Sequence, residues 1–339
     1  MRLVTVMLAM VFVLSLLAVH ESSEALFRPK KFRIHVTMIK DSEKSIATRY
    51  GPGEYGRKIR VDSRKRFYEI HVPPSYKVGH PVPLVLVFHG GGSDPGTIRF
   101  ESRMDRTADR GGFIVVYPAG TNKRLLLRNR MLLWNDGRPY KDGKYSKVDD
   151  VKFVKEILMD VKKLFAINAK QVYACGYSNG AQFSYRLAKQ LSDQIAAIAA
   201  VAGQRPADDF FPPPPGPMSI MQFAGKKDTI GPYDGGSPHF TAELRTSLKP
   251  VTETIKTWVD FNGCSAEPEV KRIGRAVMKR YSQRKGDAEV VLWTLEDGGH
   301  TWPGGQVVPA AEKFGLGNIN RDISASDLIW EFFKRHTLK

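Results

Sequence analysis

Cysteine is nearly missing from this sequence: Cys175 and Cys264 are the only two in 339 residues. No metal-ligand cysteine spacing can be built from them, which excludes a structural zinc site of that kind, and one bridge is the most that oxidation could make. Cys175 sits in a strand-like apolar run, where a small buried side chain is the expected role; a Cys175–Cys264 bridge is the alternative. Acidic residues are also scarce, 35 against 52 lysines and arginines, for a net charge of +17. Such a surface suits an anionic environment such as acidic polysaccharide, or is simply a solvated face. No nucleic-acid-binding motif accompanies it, and no nucleic-acid partner is expected. Internal repeats are absent, and so are long apolar runs beyond the first 25 residues.

The first 25 residues differ from the rest. Met1-Arg2 gives a positive start, Leu3 to Val19 is apolar apart from Thr5 and Ser15, and Ser23-Glu24-Ala25 offers small residues for cleavage. We read residues 1–25 as a signal peptide and the protein as secreted, extracellular or periplasmic, with no membrane contact after cleavage. An uncleaved anchor is the alternative. Residues 26–60 read as a basic leader in which Phe32–Ile39 forms a first edge strand, and 61–339 as one domain.

Within that domain, Phe67–Val72 alternates as a strand should and is closed by Pro73-Pro74. Leu84–Phe88 and Phe113–Tyr117 are continuous apolar runs, the signature of strands buried on both faces of a parallel sheet. Asp149 or Asp150 caps a helix that places Val151, Val154, Leu158, Val161 and Phe165 on one face. Strands follow at 172–176, 198–201, 219–223 and 290–295, with helices at 181–188, 251–261 and 325–333. Strands alternating with helices predict an α/β fold with a mostly parallel central sheet covered on both faces.

The strand at 172–176 runs into Gly176-Tyr177-Ser178-Asn179-Gly180 and then a helix. A G-x-S-x-G at a strand-to-helix turn lifts the serine off the sheet at a helix N-terminus, which favours developing negative charge. Ser178 is therefore the candidate nucleophile. A serine hydroxyl needs a base, an orienting acid and donors for the oxyanion. His300 follows the last strand in Asp-Gly-Gly-His-Thr-Trp-Pro-Gly-Gly, where glycines let a loop carry an imidazole over the sheet edge; His239 is the rival base. Asp228 follows the strand two after the nucleophile strand and is the preferred acid, with Asp208, Asp209, Asp234 and Asp297 competing. His89-Gly90-Gly91-Gly92 follows the strand at 84–88, so the backbone N–H groups of Gly91 and Asn179 are the expected oxyanion donors. The order Ser178, Asp228, His300 is that of the α/β-hydrolases. Trp302, beside the base, and Trp134 are candidate walls of an acyl or sugar pocket.

From about Phe67 to Arg335 the chain resembles the extracellular esterases grouped with poly(3-hydroxybutyrate) depolymerases and feruloyl or acetyl-xylan esterases. The stretches that carry the likeness are Pro83–Gly91, Val148-Asp149-Asp150-Val151 with Phe153-Val154, Gly176–Ala181, and Gly298-Gly299-His300-Thr301-Trp302-Pro303-Gly304-Gly305. The resemblance implies Ser178 as nucleophile, Asp228 as orienting acid and His300 as base. Two departures stand out: Ala224-Gly225 occupies the place of a frequent His-Gly, and the family's cysteine pairing downstream of Asn262-Gly263-Cys264 has no second cysteine here.

Together these features predict a secreted serine carboxylesterase that forms an acyl-enzyme and needs no cofactor or metal. The substrate is an ester, with feruloyl or acetyl esters of acidic plant-type polysaccharide favoured by the charge and by the expectation that no separate polyester-binding module is present. A polyester depolymerase, a peptidase of the same fold and a non-catalytic polysaccharide-binding protein are the other readings.

Overall fold

Leu84, Leu86 and Phe88 point into one hydrophobic layer while Val85 and Val87 point into another, so this strand is covered on both faces. The computed structural model describes residues 35–39, 50–124, 130–138, 147–205, 211–236, 247–308 and 315–339. Residues 1–25, read above as a signal peptide, and most of the stretch 26–60 lie outside them.

The strands are β1 (Thr37–Ile39), β2 (Gly53–Val61), β3 (Arg64–Val72), β4 (Val82–Phe88), β5 (Ile114–Pro118), β6 (Thr121–Arg124), β7 (Arg130–Leu133), β8 (Ile167–Tyr177), β9 (Ala197–Val201), β10 (Ser219–Gly225), β11 (Glu269–Ile273), β12 (Ala276–Ser282) and β13 (Glu289–Leu295). The helices are α1 (Pro95–Ser102), α2 (Met104–Gly111), α3 (Asp150–Leu164), α4 (Asn179–Gln190), α5 (Val251–Asn262) and α6 (Ala325–Phe333). Among the described residues eleven strands form one sheet in the order β1-β2-β3-β5-β4-β8-β9-β10-β13-β12-β11. Its centre, β5 to β13, is parallel throughout, and antiparallel strands extend it on both sides.

Parallel neighbours need crossovers, and those crossovers are the helices. One layer is built on α3, α4 and α5 through Phe153, Ile157, Phe183, Leu187, Ile255 and Trp258. The opposite layer rests on α1, α2 and α6 through Ile98, Met104, Ala108, Ile329, Phe332 and Phe333. The strand ends at Phe88, Tyr177, Gly225 and Leu295 fall on one edge of this parallel block, where all its chains finish in the same direction.

Three parts differ from the sequence reading. The stretch 26–60 holds a second strand besides the expected edge strand, because β2 is paired along its whole length with β3 from Gly53↔Val72 to Val61↔Arg64. The basic run near 271–285 is a β-hairpin, β11–β12, on the far edge of the sheet. The β6–β7 hairpin is a separate two-stranded sheet.

Candidate active site

Ser178 directly follows β8 with φ 54° and ψ −117°, a left-handed backbone for a residue that bears a side chain. Such a conformation costs about 1–3 kcal/mol and persists only where its surroundings enforce it. Here they do. The Ser178 N–H donates to the Val201 carbonyl at 2.9 Å, and α4 begins at the next residue. A Cβ on Gly176 would stand 2.3 Å from the Gly180 carbonyl oxygen, and one on Gly180 would stand 2.3 Å from that of Phe88, so neither position admits a side chain.

The hydroxyl of Ser178 lies 2.8 Å from His300 Nε2, and His300 Nδ1 lies 2.8 Å from Asp228 Oδ2. The other Asp228 oxygen accepts N–H groups from Ile230 at 2.9 Å and Gly231 at 2.7 Å, which fixes the carboxylate plane. Asp228 and His300 are buried. Because Asp228 accepts at Nδ1, that nitrogen holds the proton and Nε2 faces the serine as acceptor. The imidazole is carried on a loop braced at several points: the His300 N–H donates to the Leu316 carbonyl, Gly299 N–H to that of Asn318, and the Tyr177 hydroxyl to the His300 carbonyl. Tyr177, the variable residue before the serine, gave no signal of this in the sequence. Among the competing acids, Asp297 is engaged by Asn320 and Arg275, and Asp234 is not the partner of His300. Asp208, Asp209 and His239 lie outside the described residues.

The loop His89–Gly92 passes beside the elbow: a Cβ on Gly90 would be 3.4 Å from Ser178 Cβ, and one on Gly91 would be 3.6 Å from Asn179 Cβ. His89 is fully buried, accepts the Gly120 N–H at Nε2 (2.9 Å), and donates from Nδ1 to the Gly90 carbonyl at 2.7 Å. Burial lowers its pKa to about 4, against the opposing bond to Gly90, so this imidazole is neutral.

Sequence comparison sets the chain beside known esterases. The family described as Esterase PHB depolymerase matches residues 66–209. Over those residues the chain is similar to that family. A protein named as an esterase, NocK of Nocardia uniformis subsp. tsuyamanensis, is 28% identical over 296 residues, covering 81% of each chain. Feruloyl esterase B of Piromyces equi is 26% identical over 234 residues, covering 68% of this chain and 42% of that protein. Among solved structures, an S-formylglutathione hydrolase from Agrobacterium tumefaciens superposes with a TM-score of 0.52 at 14% identity over 85% of this chain and 97% of that one. The acetyl xylan esterase from Aspergillus awamori gives a TM-score of 0.50 at 14% identity, covering 80% and 94%. The fold is that of the α/β-hydrolases, and the enzyme is a hydrolase of ester bonds.

The two tryptophans do not line a cleft, which corrects the sequence reading. Trp302 is 3% exposed in the layer under α6, and its indole N–H is spent on Ser326 Oγ at 3.1 Å. Trp134 is 2% exposed, stacked on Phe183 at 5.2 Å, with its N–H donated to the His89 carbonyl at 2.9 Å. A buried indole whose donor is satisfied inside the protein has no face left for an acyl group.

Cys175 and Cys264 are unpaired, and burial raises both thiols, Cys264 to about 11 and Cys175 further. Neither is a reactive thiolate at neutral pH. One cluster among the described residues has metal-like spacing: Glu54, His71 and Asp105 have ligand atoms within 4.8 Å of one another. Its anionic charge is already met. Arg99 donates to Glu54 and Asp105, and the His71 nitrogens face Glu54 at 2.7 Å and Asp109 at 2.9 Å. A fixed guanidinium at its centre makes this an ion-pair network unfit for a divalent cation.

Proposed function

We propose that the protein is a secreted serine carboxylesterase working through an acyl-enzyme, with feruloyl or acetyl esters of plant-type polysaccharide as its substrates. The observation that carries the mechanism is the continuous hydrogen-bonded line from Asp228 through His300 to Ser178 on a strained elbow. As Ser178 Oγ attacks the ester carbonyl carbon, its proton passes to His300 Nε2, and Asp228 stabilises the imidazolium through Nδ1–H. The carbonyl oxygen becomes an oxyanion and accepts from the N–H groups of Gly91 and Asn179, neither of which has an acceptor among the described residues. Collapse of the tetrahedral centre breaks the bond to the alcohol oxygen, which takes the proton from His300 Nε2. Water then gives a proton to His300 and attacks the acyl carbon, releasing the acid and restoring Ser178.

The substrate class is supported by the relatives, which include Feruloyl esterase B and a bifunctional acetylxylan esterase/xylanase of Neocallimastix patriciarum, and by the net charge of +17. Positive charge raises the encounter rate with an acidic polymer. Among the described residues no helix is long and apolar enough to cross a membrane. The deciding experiment measures kcat/KM on feruloyl and acetyl esters of xylan fragments beside the clearing rate of a poly(3-hydroxybutyrate) suspension. Release of ferulate or acetate by the wild type but not by Ser178→Ala supports the proposal. Rapid clearing of the polyester without either product overturns the substrate class.

A further inference from the structure

Three polar groups of Trp134 are bonded to the two segments that carry the oxyanion donors. The indole N–H donates to the carbonyl of His89, at the start of the Gly-rich loop, at 2.9 Å. Its backbone N–H donates to Asn179 Oδ1 at 2.8 Å, and its own carbonyl accepts from Asn179 Nδ2 at 3.3 Å. The residues just before it brace the same loop: the Leu132 carbonyl accepts the Gly92 N–H at 2.8 Å, and a Cβ on Gly91 would meet Leu133 Cδ2 at 3.0 Å. Residues 132–134 thus touch both sides of the place where the oxyanion forms.

The direction of the loop donor is set from the same place. His89 Nδ1–H holds the Gly90 carbonyl at 2.7 Å, and in a trans peptide the Gly91 N–H points away from that carbonyl. The carbonyl of His89 is fixed in turn by the Trp134 indole. On the other side, Asn179 spends its side chain on Trp134 and on Asp136 Oδ2 at 2.7 Å. The strap is anchored beyond Trp134: Asn135 N–H donates to Asp150 Oδ2 at 2.7 Å, Arg186 donates to the Asn135 carbonyl at 2.7 Å, and Arg138 bridges Asp136 to Gln182 on α4.

We infer that Trp134 is the positioning residue of the oxyanion hole, setting the Gly91 and Asn179 N–H groups against each other through its indole and its own peptide groups. It touches no substrate. Donors fixed before the reaction cost no reorganisation when charge develops, so loosening either one weakens the transition state rather than the Michaelis complex. The inference rests on the esterase mechanism proposed above.

The test compares an aryl acetate with its thionoacetate analogue, whose sulfur is a poor hydrogen-bond acceptor. Trp134→Phe keeps an aromatic ring against Phe183 and removes the indole N–H together with part of the bicycle. We expect kcat on the oxoester to fall by about 10- to 100-fold, less than the loss of a whole oxyanion donor. KM should stay within about 2-fold and the thionoester rate should change little, so that the ratio of the two rates collapses. Affinity for a trifluoromethyl ketone should fall by the same factor as the oxoester kcat. Asn179→Ala, which keeps its backbone N–H and loses both bonds to Trp134, should also collapse the ratio, and it decides the matter if Trp134→Phe does not fold. A wild-type ratio in the folded variants, with both esters slowed alike or neither slowed, overturns the inference. A wild-type enzyme that neither turns over the oxoester nor takes up a fluorophosphonate at Ser178 overturns the mechanism itself, and the inference with it.

Discussion

His300 stands between two oxygens at 2.8 Å, and each contact assigns it a different dependence. Ser178→Ala and His300→Ala should each lower kcat on an aryl ester by about 10³-fold or more, with the double variant little worse than either, because such groups act as a unit. Asp228→Asn should cost less while leaving the fold intact, as steady-state kinetics and circular dichroism will show. An unchanged kcat in Asp228→Asn beside a fall in Asp234→Asn would reassign the acid. The cysteines give a second check at this scale. Two thiols should titrate in the unfolded protein, Cys175 should be unreactive in the native one, and reductant should leave the melting temperature where it was. A drop of several degrees under reductant would contradict this. Ser178 was readable because glycines at fixed spacing announce its unusual backbone, and His300 because glycines flank it in the loop after the last strand. Trp134 and Trp302 were not, since an aromatic beside a motif has the same pattern whether it faces a cleft or a core.

The N-terminus of α3 does more than begin a helix. Asp149 is its cap, accepting from Lys152 N–H at 2.9 Å, whereas Asp150 is buried and receives Arg66 at 2.8 Å, Asn135 N–H at 2.7 Å and Thr121 Oγ1 at 3.3 Å. One carboxylate therefore ties β3, the β6–β7 hairpin and the strap at 132–138 to the helix. Asp150→Asn leaves the guanidinium of Arg66 buried without its counter-charge and should cost about 3–5 kcal/mol in urea unfolding, whereas Asp149→Asn, still a competent cap, should cost under about 1 kcal/mol. Comparable losses in the two variants would show that the hub is unimportant. The long elements were legible because burial on one or both faces imposes a period on the sequence. The β11–β12 hairpin was not, because its outer strand is exposed at Glu269, Val270, Lys271 and Arg272 and carries no apolar alternation.

Charge acts on the molecule as a whole. With a net charge of +17, turnover on an acidic polysaccharide should fall as salt rises while turnover on a neutral aryl ester holds steady; parallel salt series on the two substrates will separate steering from any general effect of ionic strength. Stability should also depend on pH through two buried acids. Burial, with Asp94 adding to it, raises the Glu101 carboxyl from 4.5 to about 8, and among the described residues its Oε2 has no hydrogen-bond partner. Between those values the native state keeps a proton that the unfolded chain has lost. Stability therefore falls as pH rises from about 4.5 to about 8, and Glu101→Gln should flatten that slope. Glu289 behaves oppositely: burial pushes it up, but His336 and Arg335 overcome that and hold it at about 2. Its contribution is complete above 4.5 and is lost as pH falls through about 2. Urea midpoints from pH 2 to 9 for the wild type, Glu101→Gln and Glu289→Gln test both directions, and a Glu101→Gln profile parallel to the wild type would refute the first.

Read without the structure, the chain already places Ser178, Asp228 and His300 at strand ends, requires glycine around the elbow, and buries the central strands on both faces. These are local properties, set by backbone conformation and side-chain period within a few residues. Tertiary structure alone decided which of several aspartates meets His300, where Trp134 and Trp302 turn their rings, and how the edges of the sheet are finished. Those outcomes depend on pairs far apart along the chain: 72 residues separate His300 from Asp228, 122 separate it from Ser178, and 45 separate Trp134 from both His89 and Asn179. No local pattern encodes such a meeting. It exists only once the parallel sheet has brought the strand ends to one edge and the helices have closed the layers beneath them.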